Sequence, residues 1–165
     1  MSNAPIGGQH DWVHGHPHEP NPTPPGGDGH WTLVTPDGNE RLFTVEDLPT
    51  LPYTVVPDCR IVSTGHDASG PFAFGGVRLA DLLAAVLPSG AAWRWIDVIS
   101  VDGFGACLTP ADLAVPDAGR PIILAYHVDG APLGRAQGLV RLIVPSEIDD
   151  ALRQVKWISR IVIVA

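Results

Sequence analysis

"ILAYHVDGAPLGRAQGLVRLIVP", residues 123–145, decides the fold of this chain. Its first residues form an apolar run that reads as a sheet strand. The run enters Asp129-Gly130, a residue pair whose backbone tolerates the left-handed conformation of a tight hairpin turn. "LVRLIVP" then reads as a further strand. Strand, turn and returning strand within so short a span put a sheet with antiparallel neighbours at the centre of the fold.

The same signals recur outward from this stretch. "WTLVTPDGNERLF" reads as two short strands around Asp37-Gly38, and "TVEDL" offers Thr44 as a helix cap with an acid three residues on. Pro49 and Pro52 are expected to stop that turn. In "GVRLADLLAAVLP", a helix opening near Gly76 collects Val77, Leu79, Leu82, Leu83, Val86 and Leu87 on one face, with Asp81 in its first turn. "WRWIDVIS" reads as a strand apolar on both faces, central in its sheet. "TPADLA" is a capped turn with Pro110 at the first helical position. "SEIDDALRQ" reads as a short capped helix or turn, and "VKWISRIVIV" closes the chain as a long strand. Helices and strands mix without a regular βαβ alternation, so the expected class is α+β, a mixed β-sheet with short helices.

Composition narrows the function. The 165 residues suffice for one domain with an appended segment, expected as an arm over residues 1–30 and a domain over 31–165. The net charge of -8 and the absence of a basic block argue against a nucleic-acid partner. An anionic or other small-molecule ligand must then be held locally, by backbone amides and a few basic side chains. No apolar run is long enough to span a membrane, and no secretory signal is visible at the N-terminus. Two cysteines, Cys59 and Cys107, read as free thiols of a cytoplasmic protein.

Residues 1–30 hold five of the 7 histidines and six of the 17 prolines, which makes an extended or irregular arm. His14, His16 and His18 alternate, so an extended backbone places all three on one face, where they could bind a divalent metal such as Zn, Ni or Cu. A disordered polar arm is the plainer reading. Trp12 and Val13 favour docking, on the arm's own domain or on a neighbouring subunit of an oligomer, because burying one tryptophan is worth about 2 to 3 kcal/mol.

The order of these pieces resembles the molybdopterin-binding domain of the sulfite oxidase family over roughly residues 30–165. The residues that carry the likeness are "GVRLADLL", the stretch 123–145 and the terminal "VKWISRIVIV". Most of them are packing residues, so the resemblance bears on the fold before it bears on activity. It implies molybdopterin, the molybdenum cofactor, with one protein cysteine as the only protein ligand to the metal, a role in which soft sulfur suits molybdenum.

Two positions compete for that role. Cys59 is the only cysteine before the helix, yet it lies seventeen residues before Gly76. Compact bacterial members place their ligand about a dozen residues before the matching glycine, a spacing that falls on Thr64. A strand through "DCRIVST" points Cys59 and Thr64 to opposite faces unless a bulge intervenes. The plainer reading of Cys59 is a small buried hydrophobe. Cys107, between Ala106 and Leu108, is expected to be buried in packing.

The resemblance assigns Arg141 and Lys156 to the pterin phosphate, against a reading as snorkelling surface charges. Gln154 departs from the small hydroxyl residue usual two positions before that lysine. His66, in the loop "STGHDASG", becomes a contact for substrate or cofactor, or else a solvated loop histidine. His16 or His18 echoes an arm histidine that wraps over the cofactor. His127 reads as a satisfied, half-buried residue. "DGFGACL" matches the segment bearing an active-site tyrosine, but holds Phe104, so a hydrogen bond to the metal centre or substrate is lost. Only Arg60 follows the cysteine where sulfite oxidases gather arginines, which argues against sulfite. Two functions remain open: a molybdenum-dependent oxidoreductase served by an external redox protein, and a non-catalytic module of the same fold that binds an anion, a metal or a protein.

Overall fold

The computed structural model describes residues 30–61, 69–114, 120–135, 138–145 and 155–165. Strands β1 (Trp31–Val34) and β2 (Glu40–Phe43) form the first expected hairpin, with Gly38 at φ 87° in its turn. Thr44 then caps a 3-10 turn over Val45–Thr50, its backbone N–H donating to the Asp47 carboxylate at 2.8 Å. Pro49 lies inside this turn rather than ending it.

β3 (Thr54–Ile61) and β4 (Ser69–Arg78) follow as an antiparallel pair. β4 departs from the sequence reading. Gly76 and Val77 belong to this strand, and helix α1 opens only at Leu79, running Leu79–Val86 with Arg78 paired to Asp81 at 2.9 Å. Glycine and proline in "SGPFAFGGVR" hid the strand, since both residue types normally mark turns or strand edges. The close approach of neighbouring chain explains the glycines. A Cβ on Gly76 would stand 1.9 Å from the Leu124 carbonyl oxygen, and one on Gly75 would stand 1.9 Å from the Tyr53 hydroxyl.

β5 (Trp95–Ser100) and β6 (Gly105–Leu108) pair next, and α2 (Pro110–Ala114) is capped by Thr109, whose N–H reaches Asp112 at 2.8 Å. The deciding stretch gives β7 (Ile123–Val128), β8 (Ala131–Pro132) and β9 (Arg141–Ile143). Asp129 at φ 49° and Gly130 at φ 84° make the turn that the pair signalled. β10 (Ile158–Val164) ends the chain.

The expected α+β class holds, with two sheets in place of one. The first has the order β2-β1-β10-β5-β6 and is mixed, since β1 runs parallel to β10 while the other pairs are antiparallel. The second has the order β3-β4-β7-β8, with β9 also on β7. Trp31, Leu33, Ile96, Val98 and Ile161 of the first sheet share one apolar core with Val77, Leu124 and Leu142 of the second, and with Leu79, Leu82 and Leu83 of α1. A smaller core of Val56, Cys59, Phe74, Ile123, Ala125, Leu133 and Ile143 forms separately on the second sheet. Alternation divides the two: Leu142 joins the larger core and Ile143 the smaller, as neighbours on a strand must.

Gly76→Ala should lower unfolding free energy by more than about 3 kcal/mol in urea denaturation, because only backbone atoms could move away. Gly75→Ala should cost about 1 kcal/mol, since the Tyr53 ring can swing out. Equal losses at the two sites would contradict this account of β4.

Candidate functional site

Cys59 lies where β3 is least regular. The pairing with β4 shifts register between Val56 and Cys59 and again between Cys59 and Ile61, and Asp58 adopts φ 55°. These irregularities turn the side chain into the smaller core, where Cys59 is 3% exposed. Its thiol donates to the Val56 carbonyl at 3.4 Å and approaches the Pro57 carbonyl at 3.8 Å. The opposite strand is fitted to it. Gly70 has φ 112°, and a Cβ there would stand 2.6 Å from the Cys59 carbonyl oxygen.

Arg141 is brought to the same place by β9, paired with Ala125 of β7. It is 8% exposed, and its guanidinium carbon sits 5.2 Å from the centroid of Phe74, a member of the smaller core. Its Nε is buried and has no hydrogen-bond partner among the described residues. Burial pushes its pKa down to about 10, and the nearby Cys59 sulfur is the opposing influence. A guanidinium nevertheless keeps its proton at neutral pH, so the result is a buried positive charge in need of an anion.

Lys156 completes the group just ahead of β10. Burial lowers its pKa, and the Arg141 charge lowers it further. Its stem is held by backbone. Gly138 has φ 110°, and a Cβ there would stand 2.9 Å from the Lys156 Cβ. Trp157 secures the segment, with its indole N–H donating to the Arg135 carbonyl at 2.6 Å and the Lys156 ammonium 5.6 Å from its ring centroid.

Arg120 is the residue that sequence reading missed. Its Nη1 donates to the Pro57 carbonyl at 2.6 Å and its Nη2 to the Asp58 carbonyl at 3.4 Å. Arg60, beside the cysteine in sequence, is exposed instead. Burial raises the Cys59 thiol pKa, and Arg120 is the main influence against that rise. The thiol is therefore protonated at neutral pH until a soft cation displaces the proton. A potential thiolate, one buried and one half-buried cation and an apolar floor can together hold a soft metal and an adjacent anion.

Three of the anticipated residues thus converge: Cys59, Arg141 and Lys156. Thr64, His66, Gln154, the segment "SEIDDALRQ" and the arm residues Trp12, Val13, His14, His16 and His18 lie outside the described residues. Among the described residues, no three His, Cys, Asp or Glu side chains are grouped to hold a metal ion. No helix among them is long and apolar enough to cross a membrane. Cys107 corrects the expectation of a packed thiol. It is exposed on β6, because buried Ala106 and Leu108 on either side place it on the outer face. Phe104 packs against the larger core. His127 is half-buried and satisfied, as expected, with Nδ1 3.0 Å from the Tyr53 hydroxyl. A surface depression of about 340 Å³ beside α1, lined by residues including Leu83, Leu87 and Trp93, contains none of the site residues.

Comparison with known proteins bears on the family and the fold. A family model described as the oxidoreductase molybdopterin binding domain matches residues 23–165. No curated protein matches the chain. Among solved structures, the chain is similar to the sulfane dehydrogenase SoxCD from Paracoccus pantotrophus, with a TM-score of 0.65 and 22% sequence identity. That match covers 83% of this chain and 38% of the SoxCD chain, so the present chain corresponds to well under half of that protein. At this identity the likeness establishes the fold.

A buried Nε with no acceptor among the described residues has a measurable cost. Arg141→Met should raise the stability of the cofactor-free protein by about 1 to 3 kcal/mol in denaturant titration at neutral pH. Lys156→Met should also stabilise, but its gain should shrink as pH climbs through the lowered lysine pKa. From that point up to the ordinary lysine pKa the folded wild-type lysine gives up a proton that the unfolded chain keeps, so the penalty on folding fades and is gone only above both. A destabilised Arg141→Met protein would mean that the charge has a counter-ion in the free protein.

Proposed function

This chain belongs to the family of oxidoreductase molybdopterin-binding domains, and from that premise we propose that it holds the molybdenum cofactor between Cys59, Arg141 and Lys156. The observation that carries the reading is the buried Arg141 Nε without a partner, within electrostatic reach of the Cys59 sulfur. An anion at that point would neutralise Arg141, raise the pKa of Lys156 and leave the thiol free to take a metal. The residues present fit the group: a soft sulfur donor for molybdenum, and the buried Arg141 with the half-buried Lys156 for the pterin phosphate. Cys59 is preferred over Thr64 as the protein ligand, because its sulfur shares the small core with Phe74 beneath Arg141.

When bound, the cofactor supplies a metal centre that exchanges an oxygen atom or electrons with a small substrate. The chain's own residues bind, orient and shield. Arg141 and Lys156 take the negative charge of the phosphate, and their burial makes each interaction stronger than it would be in water. Phe74 and Ile143 close the floor and exclude water from the sulfur. Cys59 must lose its proton on loading, so metal uptake should slow as pH falls. Sulfite is an unsuitable substrate, because Arg60 points to solvent. An external redox protein would carry electrons to or from the centre.

The retreat of Phe104 into the larger core favours a second reading, in which the domain binds the cofactor without turning over substrate. In both readings, protein expressed with the cofactor available should carry molybdenum near stoichiometrically by elemental analysis. Cys59→Ser should lose the metal while keeping pterin, and Arg141→Met should lose most of both. Wild-type protein with neither molybdenum nor pterin fluorescence after denaturation would remove the proposal.

A further inference from the structure

We infer that Arg120 is a positioning residue for Cys59, a clamp that fixes the irregular turn of β3 from outside the strand. The inference rests on the reading of Cys59 as the protein ligand, and it stands on geometry. Asp58 is in the left-handed region at φ 55°, a conformation that a non-glycine residue holds only when its surroundings enforce it. The pairing to β4 does not enforce it, since the register shifts on both sides of Cys59 and the ladder is broken there. The missing support comes from Arg120. One guanidinium spans two successive carbonyls, Pro57 at 2.6 Å and Asp58 at 3.4 Å. A planar fork can bridge two acceptors in this way, whereas an ammonium at the same place would hold one firmly.

The other side of the turn is also fixed. Gly70 brings β4 so close that a Cβ would stand 2.6 Å from the Cys59 carbonyl oxygen. Cys59 is therefore gripped between the Gly70 backbone and the Arg120 guanidinium, with its sulfur turned inward toward the Val56 carbonyl. Pro57 contributes no N–H, so its carbonyl is its sole backbone hydrogen-bonding group, and Arg120 occupies it. Releasing Arg120 would free the Pro57-Asp58 turn to relax and would let the sulfur leave the position beside Arg141.

Cysteine labelling in the folded, cofactor-free protein tests this without reference to activity. In a Cys107→Ser background only Cys59 can react, and the iodoacetamide rate, corrected for thiolate fraction from its pH profile, reads how often its turn opens. Arg120→Gln should speed labelling about tenfold or more, since two charge-assisted hydrogen bonds are lost. Labelling should stay nearly independent of urea at low concentration, as opening of one turn requires, and Arg120→Lys should fall between wild type and Arg120→Gln. Arg60→Gln, at an exposed neighbour, should label at the wild-type rate. Cofactor-loaded Arg120→Gln should also retain less molybdenum than wild type. Labelling of Arg120→Gln at the wild-type rate would overturn the inference, as would faster labelling that rises with urea as steeply as global unfolding does. The two readings separate cleanly. Faster labelling in a protein whose wild type never takes up molybdenum keeps the clamp and removes the ligand role. Unchanged labelling alongside metal loss in Cys59→Ser does the reverse.

Discussion

The energetics of the second sheet turn on one buried guanidinium, that of Arg141. Arg141 is carried inside by β9, over the ring of Phe74, and its Nε meets no acceptor among the described residues. Leaving a charged group in that state costs free energy of the order that decides whether a domain folds at all. The two-sheet scaffold bears the cost. Its larger core, built from both sheets and α1, is continuous and contains Arg141 nowhere. The strain is confined to the smaller core, where Cys59 and its irregular turn also lie.

The second sheet explains how residues distant in sequence meet. Cys59 reaches the site through β3, Arg141 through β9 on β7, and Lys156 through the segment ahead of β10. Glycines set the spacing at each junction: Gly70 beside the Cys59 carbonyl and Gly138 beside the Lys156 stem, both at positive φ. An added side chain at either would displace the backbone that aims a functional group. These glycines act as geometry, and their effect on the site passes through the residues they admit.

Much of this was legible in the sequence, for reasons that can be stated residue by residue. Asp37-Gly38 and Asp129-Gly130 announced their hairpins because turn chemistry is local, and Thr44 and Thr109 announced their caps for the same reason. β4 was not legible, since its glycines and prolines answer to close approach of other chain rather than to local propensity. Cys107 was misread from its neighbours. The period of two, applied to buried Ala106 and Leu108, would have placed it outside. At the site, Arg141 and Lys156 were visible only through likeness to a family, because nothing in "GLVRLIVP" says that its arginine turns inward. Arg120 gave no signal, because its partners Pro57 and Asp58 are 63 and 62 residues away. Such a contact belongs to the tertiary structure alone.

We propose that the site holds an anion before it holds a metal. Unfolding of the cofactor-free protein, followed with increasing inorganic phosphate at constant ionic strength, tests this. Phosphate should raise the stability of the wild-type protein in a saturable manner, and Arg141→Met should abolish the rise. Equal stabilisation of the two proteins, or none of the wild type, would contradict it.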